Sequence, residues 1–65
     1  MPRIIHQDLS TLNYCNRGSR QFFERHGISW SDFLREGVDI ELIAQIDDEM
    51  ARKVVTQAKN RLGID

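Results

Sequence analysis

Between Ser19 and Gly37 the chain reads SRQFFERHGISWSDFLREG, a single stretch that holds all three phenylalanines and the only tryptophan of the protein. One glycine stands in its middle and another closes it. A domain of 65 residues buries only about 60% of its unfolded surface, so it must place its largest apolar side chains at the centre. The stretch therefore predicts helix, tight turn, helix, with an aromatic core built at the junction. Ser19 is expected to cap the first of these helices, which runs to His26, and Gly27 to supply the left-handed residue that ends it, with Ile28 covering the cap. Ser29 opens the second helix with Asp32 in the N3 position of a capping box. Its apolar side chains are Trp30, Phe33 and Leu34, and Gly37 ends it.

The rest of the chain reads as further short helices around this corner. Asp8 is expected to cap a helix from Leu9 to about Asn16, in which Leu9, Leu12 and Cys15 share a face. Asn16-Arg17-Gly18 then breaks the pattern as a turn or a close packing point. Asp39 caps another short helix, with Ile40, Ile43 and Ala44 apolar. The strongest pattern is the last. Ile46, Met50, Val54, Ala58 and Leu62 recur every four residues, with Ala51 and Val55 alongside, which is the stripe of an amphipathic helix. Asp47, Asp48 and Glu49 lead it, and Lys59 and Arg61 sit in its last turn, as the helix dipole favours. Residues 1–7, with Pro2, Ile4 and Ile5, read as an extended N-terminal arm able to pair with a partner strand. Residues 8–65 read as one domain. The expected fold is all-α: a bundle of four or five short helices with a helix-turn-helix-like corner and a longer amphipathic C-terminal helix.

Small domains usually need a disulfide, a metal, a partner or very regular helix packing to be stable. The single cysteine, Cys15, rules out an internal disulfide. A partner or self-association thus enters the reading early. The lone thiol suits a reducing compartment. The start, MPRIIHQD, has no apolar core and meets an acid early, against a secretory signal. No apolar run approaches the ~20 residues of a membrane span.

The formal net charge of −1 conceals a segregation. Residues 1–26 carry four arginines against Asp8 and Glu24, a net of +2. Residues 27–49 carry Arg35 against seven carboxylates, a net of −6, and residues 50–65 return to +3. A helix-turn-helix reads DNA through the start of its second helix and needs cations for phosphate. Here that helix offers Ser29, Trp30, Ser31, Asp32, Arg35 and Glu36, with one cation and two acids, so DNA binding is disfavoured. The sharper basic feature is Arg17, Arg20 and Arg25. Arg17 and Arg20 lie one turn apart and can grip an acidic surface, with Arg25 on a neighbouring face. These three are the expected partner-binding residues.

His6, Cys15 and His26 are the only soft metal ligands, and their long spacings do not fit a zinc site. His26 is more simply a partner for the helix C-terminus, and Cys15 a small buried hydrophobe. Nucleophilic catalysis by a Cys–His pair needs a cleft and a third, orienting group, and the carboxylates fall at caps and first turns. No catalytic residue, metal or cofactor is expected.

The run Tyr14-Cys15-Asn16-Arg17-Gly18-Ser19-Arg20, then Phe22-Phe23-Glu24-Arg25-His26-Gly27, Trp30 and Phe33-Leu34-Arg35-Glu36-Gly37, resembles a group of small proteins encoded by tailed bacteriophages and prophages, often among tail or morphogenesis genes. The resemblance spans roughly residues 12–56 and brings no catalytic motif. It implies a phage-encoded protein of the host cytoplasm or the virion, whose partners are other phage structural or assembly proteins, a second copy of itself included. The expected function is therefore non-enzymatic: a protein-interaction domain serving as a small structural or assembly component of the tail. A DNA-binding regulator and a phage inhibitor of a host defence complex are the alternatives.

Overall fold

A computed structural model describes residues 2–64. In chain order it comprises Arg3–Ile4 (β1), His6–Thr11 (α1), Asn16–Arg25 (α2), Trp30–Glu36 (α3), Val38–Asp39 (β2), Ile40–Ala44 (α4) and Glu49–Leu62 (α5). The fold is mostly helical, with five helices among the described residues. It departs from all-α through one short antiparallel pair, in which Arg3 faces Asp39 and Ile4 faces Val38. The main-chain bond from Ile40 N–H to the Pro2 carbonyl (3.2 Å) extends this pairing by one rung. The expected arm is extended at Arg3–Ile4, where it pairs with β2 of its own chain, but its last two residues, His6 and Gln7, already belong to α1. Ile4 is wholly buried, and burial of that side chain anchors the segment. Met1 of the expected arm lies outside the described residues.

α1 begins at His6, two residues before the expected cap. Ile5 takes the cap position, and Asp8, three residues on, turns its carboxylate back to accept the Ile5 N–H at 3.0 Å. This is the acidic half of a capping box. Asp8 sits in the helix because a second bond holds it there. The Arg61 guanidinium, from the last turn of α5, donates to both of its oxygens at 2.8 and 3.2 Å. Asp8 is wholly buried, and the Arg61 side chain is 24% exposed. A further bond runs from Arg61 to the Arg3 carbonyl at 2.8 Å. One guanidinium therefore ties β1, α1 and α5 together. A buried carboxylate without such a partner would carry a large desolvation cost.

α1 is also shorter than its apolar pattern predicts. It stops at Thr11, because Asn13 adopts a left-handed conformation (φ 62°). Asn13 N–H then bonds the Ser10 carbonyl and Tyr14 N–H the Leu9 carbonyl, which closes the orphan carbonyls as a Schellman ending. Asn is the residue other than glycine best suited to that conformation. The same ending follows α2, where Gly27 (φ 72°) bonds Glu24 and Ile28 bonds Phe23.

α2 starts three residues before the expected Ser19. Cys15 is its cap and is exposed, not buried: its Sγ accepts the Gly18 N–H at 3.3 Å. A Cβ on Gly18 would stand 3.3 Å from that sulfur, so Asn16-Arg17-Gly18 is a close packing point inside the helix and not a turn. Ser19 lies buried on the core side, one turn before Phe22 and Phe23, and its Oγ has no hydrogen-bond partner. Ser29, Asp39 and Asp48 cap α3, α4 and α5 through side chains that accept from Asp32, Glu41 and Met50 N–H respectively.

The core combines two sets of residues. Phe22, Phe23 and Phe33 are buried from the α2–α3 corner. Phe23 and Phe33 meet edge to face at 4.6 Å between centroids, a favourable aromatic geometry. Trp30 is half-buried at the rim, beside Phe33 (5.3 Å), Phe23 (5.8 Å) and His6 (6.1 Å). The second set is aliphatic: Ile4, Leu9, Val38, Ile40 and Ile43 close on Ala51, Val54, Val55 and Ala58 of α5. The expected four-step row is buried only in its middle. Met50 and Ile46 are half-buried and Leu62 is exposed. Four residues advance a helix by about 400°, so such a row drifts some 40° per step and leaves the core at its ends. The i, i+3, i+4, i+7 set at 51, 54, 55 and 58 keeps to one face.

Gly37 fixes the return from α3 to β2. Its φ is 75°, and a Cβ there would stand 2.7 Å from the Ile4 carbonyl oxygen. The backbones of β1 and the α3–β2 junction approach too closely for any side chain.

Candidate interaction surface

α2 presents the three arginines singled out by the sequence. Its inward face is Ser19, Phe22 and Phe23, which leaves Arg17, Arg20 and Arg25 exposed. At 3.6 residues per turn Arg20 lies about 60° from Arg17 around the axis, and Arg25 about 80° to the other side. They share a helix without forming one cluster. Arg20 is engaged by Glu24, one turn on, at 3.2 Å. Both groups are well exposed, and such a pair is worth roughly 0.3–0.5 kcal/mol. Arg25 places its guanidinium 5.9 Å from the Phe22 ring centroid, a cation–π distance. Among the described residues neither Arg17 nor Arg25 has a carboxylate within ion-pair reach.

The other surface cations are mostly held by their own chain. Arg35 bonds Asp32 at 2.6 Å and lies 3.6 Å from Glu36. Arg52 bonds Asp47 at 3.0 Å, and Lys53 bonds Glu49 at 3.2 Å. The outer face of α5 thus carries two ion pairs, Arg52 with Asp47 and Lys53 with Glu49. It carries two open grooves that sequence reasoning did not anticipate. One of about 360 Å³ runs past Leu12, Lys53, Gln57 and Asn60. A smaller one, of about 230 Å³, lies between Ala44 and Val55. Both share Arg52 and Thr56. Periodicity cannot reveal such grooves, because they depend on how α1 and α4 flank the helix.

The three soft ligands are dispersed. His6 Nε2 pairs with Asn16 Oδ1 at 2.6 Å. Cys15 caps the start of α2, while His26 stands at its end, 4.8 Å from the Phe22 ring. Eleven residues of helix set them about 16 Å apart, too far to share one ion. Among the described residues no three His, Cys, Asp or Glu side chains come close enough to hold a metal. Among the same residues no helix is long and apolar enough to cross a membrane.

Comparison of the chain with protein-family models, with curated proteins and with solved structures finds no match.

Proposed function

We propose that this chain is a non-catalytic docking module of phage particle assembly, which engages an acidic protein surface through α2. The observation that carries the reading is the contrast among its cations. Arg20, Arg35, Arg52 and Lys53 are engaged by neighbouring carboxylates, whereas among the described residues Arg17 and Arg25 project from α2 without one, and Arg3 and Lys59 likewise lack one elsewhere on the surface. Exposed guanidiniums in this state are ready for bidentate pairing with carboxylates in trans. The phage setting, the tail and the host cytoplasm or virion as location come from the resemblance of the run from Tyr14 to Gly37.

A recognition-helix role for α3 has less support, since its one cation, Arg35, is engaged by Asp32 and Glu36 and phosphate binding needs free cations.

The test is pairwise binding of the purified chain to each structural protein encoded beside it, at low and moderate salt. One of them is expected to bind, and Arg17→Glu with Arg25→Glu to weaken it by at least about tenfold, as loss and reversal of interfacial charges do. Mass spectrometry of purified particles is expected to find the chain. Its absence from particles, together with a stable complex with a host nuclease assembly, would replace assembly by inhibition of host defence. Salt-sensitive retention of duplex DNA would replace it by a DNA-binding role.

A further inference from the structure

Arg17, Gln21 and Arg25 follow one another at steps of four residues along α2, and all three are exposed. Side chains so spaced form one row on a helix. Ser19, Phe22 and Phe23 occupy the opposite, buried face, so the row looks outward along its whole length. Arg17 and Arg25 stand about 12 Å apart along the axis, and the Gln21 carboxamide lies midway between them. Among the described residues the other cations without a carboxylate are Arg3 and Lys59. They stand on β1 and α5 and belong to no such row. What sets Arg17 and Arg25 apart is their alignment on either side of one amide.

The rest of that face limits what the row can hold. Apart from Gly18, the exposed residues of α2 are all polar: Asn16, Arg17, Arg20, Gln21, Glu24 and Arg25. A docked helix buries an apolar stripe, and this face has no apolar side chain to receive one. A helix has also spent its main-chain N–H and C=O groups internally. An extended segment keeps them free, and the Gln21 carboxamide is their match: its Nε2 donates to a carbonyl while its Oε1 accepts from an N–H. Alternate side chains of such a segment face the same way, and positions p and p+4 lie about 13 Å apart, close to the spacing of the two arginines. Glu24 shares the outward side of α2, held by Arg20 at 3.2 Å. Its charge disfavours a polyanion such as nucleic acid, with a charge at every unit, more than a segment with two separated acids.

We infer that the α2 row binds an extended acidic segment of its partner, with carboxylates at p and p+4 paired to Arg17 and Arg25 and the main chain between them bonded to Gln21. The inference rests on the docking role of α2 proposed above and adds the form of the element it docks. Each guanidinium takes its carboxylate through two parallel bonds. Gln21 contributes what charge alone does not, a fixed register between the two acids. The side chain at p+2 faces α2 beside Gln21, so it must be small for the main chain to come within hydrogen-bond distance.

Synthetic peptides of equal charge test this, titrated into the isotope-labelled chain at low salt and followed by NMR through the amide resonances of α2. The first carries aspartates at p and p+4 with glycine at p+2, in an otherwise neutral and unstructured sequence. The second moves the later aspartate to p+2. The third is a helical peptide with its acids at p and p+8, which span the same distance. A single-stranded oligonucleotide is the fourth probe. The first peptide is expected to bind with a Kd of about millimolar or below, at least about threefold tighter than the second and third, as one added hydrogen bond allows. Gln21→Ala is expected to erase that preference and to leave the second peptide unaffected. Arg17→Glu with Arg25→Glu is expected to weaken the first peptide by at least about tenfold. All three positions are exposed, so folding, checked by circular dichroism, should survive. Equal binding of the three peptides, preference for the helical one, or a first peptide indifferent to Gln21→Ala would overturn the extended-segment inference while leaving the docking role of α2 in place. Binding that survives Arg17→Glu with Arg25→Glu, no response of α2 to any peptide, or tighter binding of the oligonucleotide there would overturn both.

Discussion

The α2–α3 corner and the assembly around α5 reach the same burial by different physics. The corner is local and aromatic. Phe23 and Phe33 are ten residues apart, Trp30 lies between them in sequence, and a Schellman ending at Gly27 sets the angle. The α5 assembly is distant and mostly aliphatic. Its apolar contacts are reinforced by polar and main-chain links between remote residues: Arg61 with Asp8 and Arg3, Ile40 with Pro2, and Gly37 against Ile4. The corner's aromatic contacts join residues close in sequence, whereas the α5 assembly draws on both ends of the chain. The difference teaches that a short chain can separate the part that specifies a turn from the part that closes the fold.

The largest expected effect breaks the closure. Arg61→Ala leaves the wholly buried Asp8 carboxylate without its guanidinium, a loss of about 3–5 kcal/mol. A domain of this size has a total stability on the order of 3–10 kcal/mol, so chemical denaturation should find the midpoint of the variant lowered by about a third or more. Asp8→Leu with Arg61→Met, which replaces the pair by apolar groups, should recover much of that stability. Failure of the double variant to exceed Arg61→Ala would show that the pair acts by more than mutual compensation.

Phe33→Ala breaks the corner instead, at about 3 kcal/mol or more. Trp30 is the only tryptophan and sits in this corner, so its fluorescence reports there while far-ultraviolet circular dichroism reports every helix. The two transitions should coincide in the wild type, as two-state unfolding requires, and fluorescence should lead in Phe33→Ala. Coincidence in the variant would erase the distinction between the regions. Gly37→Ala attacks the junction, where a Cβ would stand 2.7 Å from the Ile4 oxygen. A loss of about 2 kcal/mol is expected for a displaced backbone at a positive φ, again by denaturant titration.

The smallest effects sharpen the contrast. Ser19→Ala removes the unpartnered buried hydroxyl of α2 and should stabilise the chain by about 1 kcal/mol, seen as a raised melting temperature. Glu24→Gln, which releases Arg20 on the exposed face of α2, should change stability by no more than about 0.5 kcal/mol in the same measurement.

The local features were the legible ones. Gly27 with Ile28, Ser29 with Asp32, and the cap at Asp39 all rest on spacings of a few residues, which the sequence displays directly. What escaped it depended on distant partners. Asp8 looks like a cap until Arg61 is placed beside it, 53 positions away. Residues 2–4 look like a free arm until Gly37 offers a backbone they can approach. Cys15 and Ser19 exchanged their expected places, the thiol capping in solvent and the hydroxyl buried, because Phe22 and Phe23 fix the rotation of α2 more strongly than cap preference does. The three arginines were legible as exposed cations. Their separation into one held by Glu24 and two without a carboxylate was not, since it turns on rotamers and on which neighbours reach them.

The link from Arg61 to residues 3 and 8 also bears on when the protein can exist. Synthesis delivers the carboxylate of Asp8 more than fifty residues before its guanidinium, so until residue 61 emerges β1 can pair with β2 but the charge of Asp8 stays without its partner. The aromatic corner, complete by Gly37, is free to form during that interval, since local contacts close fastest. Full closure of the core, with the buried charge of Asp8 paired, therefore waits on the last turn of α5.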